Sequence, residues 1–190
     1  MVAAPLTTSS VGPDLPTAAL NPRLVLVALG APGDPAGPAL LLPQVSRRLA
    51  TLLTIPQRPI ERPDSPAAAL ASLLGEPGPW LAPLPLDPGL ALIEGSWAEA
   101  LGAWRQPTLL VVNHSQLATG IPAAASALLE KWRVPQLGVL QWEGTWDGEL
   151  RRREGLPWLG CLAAAEQDDR DAWIAALLRQ RWNRCRAQLD

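Results

Sequence analysis

The chain has 190 residues, 48% of them apolar, enough to bury one sizeable core as a single domain. A formal net charge of -2 leaves no basic surface for a polyanion, which argues against nucleic acid as a partner. No apolar run approaches the ~20 residues of a membrane span, and no basic segment leads into an apolar one after Met1, so no membrane partner is expected and the expected location is cytoplasmic.

Residues 1–21, rich in Ser, Thr, Pro and Ala, lack periodicity and are predicted to be a flexible tail. Residues 22–190 are predicted to form one α/β domain with a proline-rich excursion at 55–88. Arg23 to Leu29 is a continuous apolar run of strand length bounded by Pro22 and Gly30, the pattern of a parallel strand buried on both faces. After the loop from Gly30 to Pro38, the apolar stripe Leu41, Leu42, Val45, Leu49, Leu52 and Leu53 predicts a helix over 39–53, with Pro43 close to its start. Within the excursion only 67–74 has helical character, with Pro66 at its first turn and Gly75 to end it.

Leu90 to Ile93 is predicted to be the next strand, followed by a helix from a Ser96/Glu99 capping box to Trp104. Further strands are predicted at 108–113, 137–142 and 158–162, with helices at 122–132, 149–153 and 167–188. Strands alternating with helices at this spacing predict a mostly parallel sheet of about five strands with helices on both faces, a P-loop-NTPase-like three-layer sandwich.

Ligands of parallel α/β sheets gather outside the carboxyl ends of the strands. Glu94, at the end of the predicted strand 90–93, is therefore either a metal or ligand carboxylate or a group stabilised by a helix N-terminus. His114 and Ser115 follow a strand end, without a second metal ligand near the histidine and without a nucleophile-elbow context for the serine. Asp34 and Asp147 read first as turn residues and second as catalytic candidates. Cys161 and Cys185 read as buried thiols, and the arginines at 151–153 and 179–186 as solvated helix faces. Most tryptophans are expected in the core, with Trp142 and Trp146 the pair expected to be exposed.

The strand, glycine-rich turn and helix over 23–53 open like a nucleotide-binding unit, with Gly30, Gly33 and Gly37 as the candidate phosphate-loop glycines. A phosphate cradle also needs a lysine, a hydroxyl and convergent backbone N–H groups. Here Pro38 and Ala39 follow Gly37, Pro32 and Pro35 lack donors, and no lysine precedes Lys131.

Four stretches resemble the dethiobiotin synthetases, a family of the P-loop class: Leu92-Ile93-Glu94-Gly95, the run from Trp104 to Val112, the run from Leu150 to Gly160, and faintly Gln57-Arg58-Pro59-Ile60. The resemblance implies ATP- and magnesium-dependent closure of a ureido ring on a small-molecule diamine. It implies Glu94 as a magnesium-associated glutamate, Gln141 in the place of an adenine-reading asparagine, and Pro157, Leu159 and Gly160 as backbone flanking the adenine. Family members carry a lysine and threonine where this chain has Pro38 and Ala39, so the resemblance is to a divergent member with lost or altered activity. The alternative is a non-catalytic P-loop-like domain kept for binding or assembly, which predicts a homodimer or a heteromeric complex and an occluded loop over 30–38.

Overall fold

A computed structural model describes residues 22–30 and 37–189; the expected tail, and with it Gly33 and Asp34, lies outside the described residues. The strands are β1 (Arg23–Val27), β2 (Trp80–Pro83), β3 (Thr108–Asn113), β4 (Gln136–Trp142) and β5 (Trp158–Leu162). The helices are α1 (Gly37–Leu53), α2 (Pro66–Gly75), α3 (Trp97–Ala103), α4 (Ile121–Lys131), α5 (Gly148–Arg153) and α6 (Asp168–Leu189), with a 3-10 turn at His114–Gln116. All strand pairs are parallel, in the order β2-β1-β3-β4-β5.

The chain is an α/β sandwich with a helical layer on each face of the sheet. β1 alternates between the layers: Leu24, Leu26 and Ala28 pack with Leu42, Val45 and Leu49 of α1 and Ile174 and Leu178 of α6. Val25 and Val27 pack with Leu70 of α2, Trp97 and Leu101 of α3, and Ala125 and Leu129 of α4. Each fully buried aliphatic side chain contributes on the order of 1.5–3 kcal/mol by leaving water. No helix among the described residues is long and apolar enough to cross a membrane.

The structure corrects the sequence reading between residues 55 and 96. The second strand is Trp80–Pro83, inside the expected surface excursion, and Leu90 to Ile93 is not a strand. Prolines at 77, 79, 83 and 85 hide β2 in the sequence, yet the ladder tolerates them. Trp80 and Leu84 donate to Pro22 and Leu26 on the β1 side, whereas Leu81 bonds outward to Pro56 and Arg58. Pro83 is in phase with Leu81, so its missing donor faces the outer edge, where pairing has ended. The run Leu90 to Gly95 is too short to pair; reciprocal bonds between the Leu92 and Gly95 backbones, at 3.3 and 3.2 Å, close it into a turn. Gly95 holds a φ of +96° there, and Ile93 at the tip is fully exposed.

The expected capping box is present: Ser96 accepts from the Glu99 amide while the Glu99 carboxylate accepts from the Ser96 amide. α1 starts two residues earlier than expected, which places Pro43 inside the helix, on its exposed side.

Gly102 decides how closely α3 approaches the end of α4. A Cβ there would lie 1.9 Å from the Trp132 carbonyl oxygen. Helix propensity favours Ala over Gly by up to ~1 kcal/mol, but overpacking against rigid backbone costs about 1–3 kcal/mol or more. Gly102→Ala is therefore expected to lower the midpoint of urea unfolding, with a net loss of about 1–2 kcal/mol. An unchanged or raised midpoint would show that the helices separate freely.

Candidate functional site

Strand order reverses between β1 and β3, so their carboxyl ends flank the crevice where doubly wound sheets hold ligands. Three connections meet at this point. The Gly30 amide donates to Asp87 Oδ2 at 2.9 Å, and the other carboxylate oxygen accepts from the Gly89 amide at 2.8 Å. Gln116 ties β1 to the β3 turn: its Nε2 donates to the Leu29 carbonyl at 3.0 Å and its Oε1 accepts from the Asn113 amide at 3.1 Å. Asn113 Oδ1 in turn accepts from the Ser115 amide.

Beside this junction a cleft opens between the start of α1 and the β3 turn, lined by Leu29, Gly37, Leu40, Leu41, Gln44, Asn113, Ser115, Gln116 and Trp142. None of these described lining residues is ionisable. Arg47 and Arg48 line the neighbouring hollow, on the far side of Gln44 and Trp142. There Arg48 is largely neutralised by a close pair with Asp171 and by Glu166 at 3.6 Å.

The residues suggested by the sequence are dispersed. Gly30 is bonded to Asp87 at the junction, and Gly37 lines the cleft. Glu94 sits exposed in the turn that replaces the expected strand. Gln141 is fully buried, and its Nε2 holds the β4 turn through the Glu143 and Thr145 carbonyls at 2.9 and 3.1 Å. Pro157, just before β5, lies towards the opposite edge of the sheet, where its carbonyl accepts from Val139 and from Arg181 Nη1. Leu159 is in the core facing α1 and α6, and Gly160 packs against Ile174.

His114 is exposed, with its Cβ against Gly144, whose φ of +80° permits the approach. Asp147 caps α5, accepting from the Glu149 and Leu150 amides at 3.0 Å. Cys161 is buried and Cys185 half-buried, and in both burial pushes the thiol pKa up, away from a reactive thiolate.

Several expectations about exposure fail: Trp104, expected with most tryptophans in the core, is 48% exposed, and Arg181, expected solvated, is half-buried and donates to the Leu137, Pro157 and Trp158 carbonyls. Trp142 is only 5% exposed because it closes the cleft floor beside α1. Arg151 is buried rather than solvated: its guanidinium lies 5.0 Å from the Trp158 ring centre and pairs closely with Glu154. Trp146 meets Trp158 edge to face at 6.1 Å.

The junction residues Asp87 and Gln116 were missed. Asp87-Pro88-Gly89 carries an Asx-turn signal, and Asn113 to Gln116 has capping-box spacing, but neither shows which distant loop the side chain reaches.

The described residues lack several groups that the resembled family uses for ATP and magnesium. The Asp87 carboxylate takes the Gly30 backbone donor, and Pro38 and Ala39 stand directly after Gly37 in place of a lysine and a hydroxyl. No protein-family model and no curated protein matches the chain.

Asp87→Ala removes two charge-assisted bonds from a half-buried group and is expected to cost about 1–2 kcal/mol in denaturant unfolding. A loss below measurement error would mean that Asp87 does not hold the junction.

Asp147 gives a pH test. The Leu150 amide bond chiefly holds its carboxyl below the ordinary 3.8; desolvation opposes it, and the Glu149 amide, Arg151 and Arg153 add smaller lowering contributions. Because the folded pKa is depressed, the cap's contribution is fully present above the unfolded value and lost as pH falls through the folded one. The Tm difference between wild type and Asp147→Ala should therefore persist at neutral pH and narrow as pH falls below the ordinary carboxylate range. A difference independent of pH would remove the charge from the account.

Proposed function

We propose that this protein is a divergent, dethiobiotin-synthetase-like α/β domain that binds a small molecule without ATP-dependent ring closure. The observation that carries this reading is the 2.9 Å bond from the Gly30 amide to the Asp87 carboxylate. A nucleotide-binding turn at this place uses its backbone donors for phosphate. Here a fixed negative charge takes the first of them.

The sign of the charge supports this reading. At ~5 Å and an effective dielectric constant of ~20, a carboxylate repels each unit of phosphate charge by about 3 kcal/mol. A phosphate-loop lysine would offset this, but the only lysine, Lys131, lies in the last turn of α4. Pro32, Pro35 and Pro38 also withhold three N–H groups from the segment between Gly30 and Ala39. Phosphoryl transfer depends chiefly on positioning and electrostatic stabilisation, and these residues supply neither.

The cleft beside the junction remains well placed for a ligand, at the strand-order reversal and walled, among the described residues, by apolar and uncharged hydrogen-bonding groups. The resemblance to the synthetases supplies the family origin in this reading, and the changed turn supplies the loss of its chemistry.

A ligand at 100 times its Kd stabilises a fold by about 2.7 kcal/mol, which for a domain of this size raises Tm by roughly 5–10 °C. Millimolar ATP with excess magnesium is expected to leave the Tm unchanged. A saturable rise would overturn the loss of nucleotide binding.

A further inference from the structure

We propose that the amino-terminal edge of the sheet is a second binding face, for single-stranded nucleic acid. A repeat marks it: Trp104-Arg105-Gln106-Pro107 leads into β3, and Trp132-Arg133-Val134-Pro135 leads into β4. β3 and β4 are neighbours, with Thr108 in register with Gln136, so the two turns stand side by side at a strand spacing of about 5 Å. They also meet further out, where Gly102 packs on the backbone of Trp132.

Both turns close in the same way. The Arg105 and Arg133 amides donate to the Gly102 and Glu130 carbonyls at 3.0 and 2.9 Å. The next amides, of Gln106 and Val134, donate to the Leu101 and Leu129 carbonyls, each at 2.9 Å. This closure holds each arginine in left-handed backbone, with φ of +48° and +56°, a place that glycine ordinarily fills. A cation anywhere in the last turn satisfies the helix macrodipole, so the macrodipole does not account for arginine at the strained position. Both residues are exposed, and neither guanidinium has a hydrogen bond or ion pair among the described residues.

The surroundings are basic. Lys131 lies 5.3 Å over the Trp132 ring. α6 ends on the same edge: Arg181 donates to the Leu137, Pro157 and Trp158 carbonyls, and the charge of Arg105 acts on the Cys185 thiol. From Arg179 to Leu189 this helix carries four arginines and no acid, and Glu130 is the one acid in the last turns of α3, α4 and α6. Asp14 and Asp190, the acids of the undescribed chain ends, are too few to neutralise these cations. The net charge of -2 hides the segregation, because Asp87, Glu94, Glu143, Glu166, Asp168 and Asp169 all follow the carboxyl ends of strands.

Each turn thus sets an indole beside a guanidinium, and Trp104 is 48% exposed. A polymer that repeats a flat ring and an anion matches this pattern, since single-stranded nucleic acid stacks bases on aromatic side chains and lays its phosphates along cations. An acidic peptide supplies the anions without the rings. An anionic lipid surface takes up a cluster of exposed apolar side chains, and among the described residues this edge exposes only Trp104 as a large one. The face lies at the opposite end of the strands from the cleft, so its binding is independent of the small-molecule reading.

The test titrates the full-length protein into a fluorescein-labelled oligothymidylate of about 12 nucleotides and follows fluorescence anisotropy. Saturable binding is expected at low salt, with log affinity falling against log salt at a slope of about -2 to -3, as three or four phosphate contacts require. Trp104→Ala is expected to weaken binding about tenfold. Arg105→Gly combined with Arg133→Gly is expected to weaken it at least ~10-fold and to flatten the slope by about 1. The same double variant is expected to raise the midpoint of urea unfolding, because glycine relieves both left-handed positions. A binding loss in a more stable protein separates a binding role from a structural one. Absence of a saturable anisotropy change at low salt would overturn the proposal, and so would unchanged affinity in the double variant. Polyglutamate competing as well as oligothymidylate at equal charge would assign the face to an acidic protein, and phosphatidylserine vesicles binding where the oligonucleotide does not would assign it to a membrane surface; either result overturns it.

Discussion

The structure depends on β1 being apolar on both faces. A parallel strand in the middle of a sheet must be covered on each side, because its neighbours are joined through crossovers and not through hairpins. Leu24 and Leu26 call for one helical layer, Val25 and Val27 for another, and β1 pairs with β2 on one edge and β3 on the other. Its carboxyl end consequently emerges at the strand-order reversal, where a crevice forms as a consequence of topology.

What occupies that crevice is set by side chains. Asp87 holds the turn after β1 from the β2 connection, and Gln116 holds it from the β3 turn. Both use hydrogen bonds to backbone, and the resulting junction presents its donors to protein groups. The same arrangement sets a carboxylate on the Gly30 amide, beside a cleft whose described lining is uncharged.

The regular half of the fold was readable in sequence because local signals there agree with the global arrangement. The strands at 108–113, 137–142 and 158–162 are apolar runs between helical segments, and the Ser96/Glu99 box fixes the start of α3. β2 was not readable, since its prolines imitate an extended surface segment and only the ladder shows that Pro83 turns its missing donor outward. The apolar stretch at 90–93 has strand composition but no partner, and its Gly95 closes it as a turn. Glu94 shares that displacement: it still follows the carboxyl end of a strand, though at the tip of a long connection. Gln141 has a residue type suited to reading a base, yet burial spends it on the β4 turn. Arg151 shows the same limit, because a basic run looks solvated until Trp158 provides a ring to cover it.

The most direct measurement of the central claim is the scalar coupling across the hydrogen bond between the Gly30 amide nitrogen and the Asp87 carboxylate carbon, recorded with and without ATP and magnesium. The account requires a resolved coupling that nucleotide leaves unchanged, because the carboxylate is the resident partner of that donor. Loss of the coupling as the Gly30 amide shifts saturably with nucleotide would contradict it, showing that phosphate displaces Asp87 and that the turn is a working anion site.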